Sequence, residues 1–239
     1  MASAAIMLGL ALVSFSPTFY LRGLVKAPVP PAGPLPAYLI VHGIVMTAWY
    51  LLFLMQAWLA ATRRIALHRR AGQLAGWLAA AVVLTGVYAA LSMPARIIAL
   101  GAPAGVLFQF HIDHIVIGDL LTLSFFSALV AAALLLRYRR PWHGRLLFLA
   151  FLMSLGPVFG GGGTRLLGPL LAPFVPSWLP AYHLLAGFLA LLIRDFVSSR
   201  RVHPATLIGF AAAAVPTLLE DVAVTSEAGQ ALFRSLFSP

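Results

Sequence analysis

HGIVMTAWYLLFLMQAWLAATRRIALHRRAGQLAG, residues 42–76, decides the fold. It opens on His42, runs through about one bilayer thickness of apolar residues, and closes on Arg63, Arg64, Arg69 and Arg70 around His68. A helix needs about 20 mostly apolar residues to cross a membrane. Clustered arginines at one end of such a run anchor that end at the cytoplasmic face. The same arrangement returns twice downstream, so the stretch reads as one unit of a polytopic membrane protein.

Composition agrees. Of 239 residues, 62% are hydrophobic and 9% are charged, whereas a soluble domain carries roughly 25% charged residues. Water could not solvate so much apolar surface, and the bilayer takes its place. The net charge of +10 would suggest nucleic acid in a soluble chain. Here the basic residues punctuate apolar runs and no polar face exists to carry a basic groove, so nucleic acid is not a partner. The absence of cysteine removes disulfides, thiolate metal sites and a cysteine nucleophile. A G-x-S-x-G elbow is also missing.

The hydropathy pattern predicts an all-α polytopic membrane protein of about seven transmembrane helices in a single domain, 1–239. The first spans 4–20, an uncleaved helix without a basic leader. A proline-rich connector follows. The next six form three helical hairpins over 37–93, 111–158 and 180–219, and the tail, 220–239, reads as an amphipathic surface helix. Within the first hairpin the third helix is expected over 72–93, stopping at Pro94. Residues 97–110 and 166–178 are broken by Gly and Pro and read as non-spanning pieces. Gly160 to Gly163 lack the following GK[ST] of a phosphate loop.

Arginine placement orients the chain. Eleven arginines fall in the turns between helices two and three, four and five, and six and seven; the other five of the sixteen basic residues fall on the opposite side. The positive-inside rule puts the eleven in the cytoplasm of a bacterial inner membrane, with the N-terminus inside and the C-terminus outside.

The seven histidines form two layers. His42, His111, His114 and His183 open the hairpins at the outer end. His68, His143 and His203 lie in the arginine-rich turns at the inner end. His111 and His114 are three residues apart and share a helix face. Asp113 lies between them and Asp119 about two turns deeper. An acid within a membrane helix is costly and marks a candidate site. Two readings stand for these residues. Imidazoles are metal and haem ligands and proton carriers; histidines at helix ends also serve as interfacial hydrogen-bonding groups, and Asp119 can bond a neighbouring helix. Asp195 is expected to pair with its neighbour Arg194, and Trp49 and Tyr50 to join an interfacial aromatic belt.

Several motifs carry a resemblance. FSPTFYLR (residues 15–22), H-x-x-x-M-x-x-W-x-x-L-F-x-x-Q-A from His42 to Ala57, LHRRAG, RRPWHGRL and RRVHPAT together resemble an uncharacterised family of bacterial multi-pass membrane proteins. More distantly, the chain is similar to the di-haem b-type transmembrane cytochromes of the ascorbate-reducible kind. That similarity implies a haem b at each membrane face. His42 would pair with His111 or His114 outside, and His68 with His143 inside. It implies electron transfer with a quinone or a periplasmic redox partner. Two other functions remain open on the residues. One is a metalloenzyme with a single transition metal such as zinc on His42, His111, His114, His183, Asp113 and Asp119. The other is a non-catalytic transporter or respiratory-complex assembly partner.

Overall fold

The computed structural model describes residues 2–24, 34–101, 112–158 and 182–237, and every regular element among them is a helix. In chain order these are α1 (Ala2–Phe15), continued by a π-helical turn (Ser16–Tyr20), then α2 (Ala37–Ala61), α3 (Ile65–Ala99), α4 (Ile112–Leu135), α5 (Arg140–Met153), α6 (Tyr182–Ser199), α7 (Pro204–Thr225) and α8 (Glu227–Phe237). Four of them, α2, α3, α4 and α7, are long and apolar enough to cross a membrane. Residues Ala4–Tyr20 form a shorter apolar helix. The glycine run 160–163, the broken segment 166–178 and His111 lie outside the described residues.

Connectors of three or four residues join α2 to α3, α4 to α5 and α6 to α7. Connections this short reverse the chain direction, so each pair packs antiparallel. α4 then lies against α3, α5 and α7, while α7 also packs on α5 and α6, and α1 rests on α2. The most deeply buried element is the short α5. Leu149, Ala150, Phe151 and Leu152 have no exposed surface, as expected of a helix that is apolar all round and sits inside a bundle. The longer helices turn large apolar side chains outward: Trp77, Leu84 and Leu135 are each more than 70% exposed. Apolar residues on the outer face of a bundle with an apolar core are what a lipid environment calls for.

Three of the boundaries that differ from the sequence expectation bear on the site. α3 begins at Ile65, so His68, Arg69 and Arg70 lie within its first two turns and not in a loop. Arginine is a good helix former, and an exposed first turn accommodates its charge. α3 also continues through Pro94 to Ala99. Pro94 removes the donor that would reach the Ala90 carbonyl, but it is buried in the bundle, where neighbouring helices hold the segment in line. Finally, α7 runs on to Thr225, which brings Glu220 into the bundle and leaves only Glu227–Phe237 as a separate tail helix.

Trp49 and Tyr50 are core residues, not part of an interfacial belt. Each is 3% exposed. The Tyr50 hydroxyl donates to the Ser154 carbonyl at 2.7 Å, and the Trp49 indole donates to Ser154 Oγ at 3.3 Å. Both bonds reach the end of α5, where the last helical carbonyls need donors. Phe53 stacks on Phe151 with centroids 3.9 Å apart. These contacts tie α2 to the central helix.

Gly187 lets α6 approach α5: a Cβ there would collide with Leu152, itself fully buried. Gly187→Leu is therefore expected to destabilise the protein by about 1–3 kcal/mol through overpacking. Thermal unfolding in detergent measures this, and an unchanged melting temperature would contradict the close contact.

Candidate functional site

The arginine-rich turns bring three helix starts together. His68 and His143 each occupy the fourth residue of their helices, α3 and α5, and His203 is the N-cap of α7. The rings of His68 and His143 are 6.4 Å apart, centroid to centroid, with planes at 89°. Trp142, next to His143, meets the ring of His203 edge-on at 5.6 Å. All three inner-layer histidines are thus linked through α5. His68 and His143 belong to helices and not to turns, which places both rings against the bundle.

Hydrogen bonds set the tautomers. His68 Nδ1 lies 3.3 Å from the Gln56 carbonyl oxygen, and His143 Nδ1 lies 2.8 Å from the Ala133 carbonyl oxygen. A carbonyl only accepts, so each Nδ1 carries a proton, and in the neutral form of each ring the lone pair is on Nε2. This is the arrangement that orients a ligating imidazole. His203 is the reverse: its Nδ1 accepts from the Ala205 N–H at 3.0 Å, capping α7 and leaving the proton on Nε2. Two histidines of the layer present a lone pair, and the third presents a donor.

Beside the pair sits Gln56. Its side-chain oxygen and nitrogen are both buried without a hydrogen-bond partner among the described residues. The amide nitrogen lies 3.7 Å from where a Cβ on Gly72 would stand, one turn beyond His68 on α3. A buried amide left unsatisfied costs about 1–3 kcal/mol, so such a group calls for an explanation.

A buried ion pair braces the same end. Arg145 donates through Nη2 and Nε to the Asp195 carboxylate, and Asp195 also accepts from Thr206 Oγ1 at 2.6 Å and from the His203 backbone N–H at 3.0 Å. Asp195 pairs with Arg145 on α5 rather than with its neighbour Arg194, which points outward. The carboxylate is completely buried, and this network locks α5, α6 and α7 together around the start of α7.

The outer histidines are more dispersed. His42 Nδ1 is 3.0 Å from Thr85 Oγ1, and that hydroxyl already donates to the Ala81 carbonyl, so His42 also carries its proton on Nδ1. A Cβ on Gly86 would lie 3.6 Å from His42 and 3.0 Å from Leu123, which puts His42 level with Leu123. His114 is nine residues earlier on α4, about 13 Å along the axis at 1.5 Å per residue. His42 and His114 therefore sit at different depths. His183 is buried at the start of α6.

His114 faces α7 instead, with Nδ1 3.6 Å from Glu220 Oε1. The Glu220 carboxylate lies directly over Gly118, where a Cβ would come within 2.6 Å of Oε2, and Asp119 feels its charge. Asp113 is 7% exposed, and its Oδ1 has no partner among the described residues. Among the described residues, no three His, Asp or Glu side chains are placed as a group to hold a metal ion.

No family model, curated protein or solved structure matches the chain.

Sequence reading missed Glu220, which looked like part of the tail, and the Arg145–Asp195–Thr206 network, which looked like topology charges and a local pair. Neither had a local signal, because both depend on helices brought together from 50 to more than 100 residues apart. Gln56 was visible as a polar residue in an apolar run, but its neighbours were not.

Proposed function

We propose that the protein is a multi-pass protein of the bacterial inner membrane that binds b-type haem between His68 and His143 and carries electrons across its cytoplasmic side. In this reading the chain crosses the membrane seven times, N-terminus inside and C-terminus outside, with helices two to seven as three hairpins. The observation that carries it is the inner histidine pair, with each Nδ1 tied to a carbonyl and each Nε2 left as a lone pair.

His68 and His143, with rings 6.4 Å apart, would hold the group through their Nε2 atoms.

The residues fit the group. Haem would supply one-electron chemistry here, with its potential set by axial ligands, burial and hydrogen bonds. His68 and His143 would bind, and the carbonyls of Gln56 and Ala133 would orient the two rings. The Gln56 amide offers a hydrogen bond that nothing among the described residues uses. Arg69, Arg70, Arg139 and Arg140 are exposed close by in sequence and would attract the carboxylate-bearing edge of the cofactor. The redox partner at this face would be a quinone in the bilayer. Likeness to the di-haem b-type cytochromes supports the inner pairing. The different depths of His42 and His114 disfavour that outer pair, and His111 lies outside the described residues.

A second reading, proton-coupled transport, draws on Glu220. A carboxylate within an apolar helix, beside His114 and near Asp119, is the kind of group found on proton paths.

A reduced-minus-oxidised visible spectrum of protein purified with its cofactors retained tests the first reading. Soret and α bands at one haem per chain are expected. A featureless spectrum with stoichiometric zinc, or with no metal, would overturn it.

A further inference from the structure

We infer that the arginine-rich end of the bundle is a docking surface for the phosphate headgroups of anionic phospholipids. The inference is independent of whether haem binds.

There are six carboxylates. Asp113, Asp119, Glu220, Asp221 and Glu227 lie toward the opposite end, where the start of α4 meets the end of α7. The sixth, Asp195, is fully buried and already engaged by Arg145, Thr206 and His203. Arg63, Arg64, Arg69, Arg70, Arg137, Arg139, Arg140, Arg194, Arg200 and Arg201 are all exposed. Ten cations thus share one end with no carboxylate left to offset them, and their mutual repulsion is relieved only by an external anion.

The backbone adds to the field. The starts of α3, α5 and α7 are drawn together by the His68–His143 and Trp142–His203 contacts. Each helix start carries partial positive charge, and the three reinforce the arginines.

The local conformation of two arginines argues that the charge is wanted. Arg63 and Arg200 follow the ends of α2 and α6 with φ of 57° and 56°. Helices commonly end on a glycine in this left-handed conformation, which a side chain disfavours. At the matching place in two of the three turns, the chain carries an arginine where the backbone prefers glycine.

Depth selects the partner. Arg64 lies over the Trp58 ring at 4.8 Å, and Arg200 over Phe196 at 5.4 Å. The guanidinium groups therefore sit level with the aromatic rings that end the apolar helices, which is headgroup depth. Fixed cations at that depth, beside apolar faces that accept acyl chains, fit an anionic lipid better than a soluble acidic protein.

The test is thermal unfolding of the full-length protein in zwitterionic phosphatidylcholine nanodiscs, with and without phosphatidylglycerol. Phosphatidylglycerol is expected to raise the melting temperature by about 5 °C, the size of a shift from a saturating ligand, and high salt to shrink the shift. Inorganic phosphate should not reproduce it. Arg64→Gln/Arg137→Gln/Arg194→Gln/Arg201→Gln, which leaves untouched the four arginines placed near the cofactor, should abolish the shift. Arg63→Gly/Arg200→Gly relaxes the backbone, so it should keep or raise the melting temperature in phosphatidylcholine while cutting the phosphatidylglycerol shift. Equal melting in both lipids would overturn the proposal, as would the full shift surviving in both variants. Inorganic phosphate matching the lipid would assign the surface to a free anion. Stabilisation by polyglutamate but not by phosphatidylglycerol would assign it to an acidic protein. Either of those results also overturns the lipid assignment.

Discussion

His143→Ala is expected to abolish the α band that the proposed haem would give, and so is His68→Ala, while His42→Ala is expected to retain it: this is the largest spectroscopic effect expected. Each inner ring is held by one hydrogen bond to a carbonyl of the preceding helix. Removing the ring frees that carbonyl at a cost of about 1 kcal/mol. The fold survives such a loss, so a missing band reports a missing ligand and not a missing protein. His42 bonds Thr85 at another depth and is not part of the pair. The check is the spectrum of each variant beside its melting curve. A haem band at wild-type stoichiometry in both His68→Ala and His143→Ala, with native melting, would sink the inner-pair assignment. Loss of haem in His42→Ala alone would move the site outward.

Asp195→Ala is expected to cost about 3–5 kcal/mol, the largest stability effect of any single change at the inner end. The carboxylate has no exposed surface and the Arg145 side chain is 11% exposed. Removing the acid leaves a guanidinium in low dielectric without its counter-ion. It also strips the acceptor from Thr206 Oγ1 and the His203 N–H. At about 2–4 °C per kcal/mol for a chain of this size, the melting temperature falls by about 10 °C. Removing both charges, as in Arg145→Met/Asp195→Leu, recovers much of the loss, because two apolar side chains replace a pair that is costly to desolvate. A mild effect of Asp195→Ala would mean that water reaches the pair. A double variant as unstable as the single would mean that the network, not the charge, holds the helices.

How much of this was legible in the chain follows from the range of each interaction. Residues 42–76 announce a membrane helix because hydropathy and arginine placement are local properties, readable in a window of about 20 residues. The expectation of three chain reversals at Arg63–Arg64, Arg139–Arg140 and Arg200–Arg201 rests on the same local signal, and short connectors are what the structure has there. Charge misled where helix propensity outweighed it: the arginines after His68 look like a loop, yet Ile65–Ala99 is one helix. Proline misled at Pro94, because burial among other helices sustains a helix that an isolated chain would break.

The sequence alone determined the solvent of this protein and its all-helical class, since each depends on composition or on spacing along one helix. Only the tertiary structure decided which histidines meet. It set His68 against His143 and separated His42 from His114. It gave Asp195 to Arg145 and brought Glu220 over Gly118. Such pairings are fixed by how helices rotate and slide against one another as their apolar faces pack. A rotation of one residue turns a side chain by about 100°, and no window of sequence reports that angle.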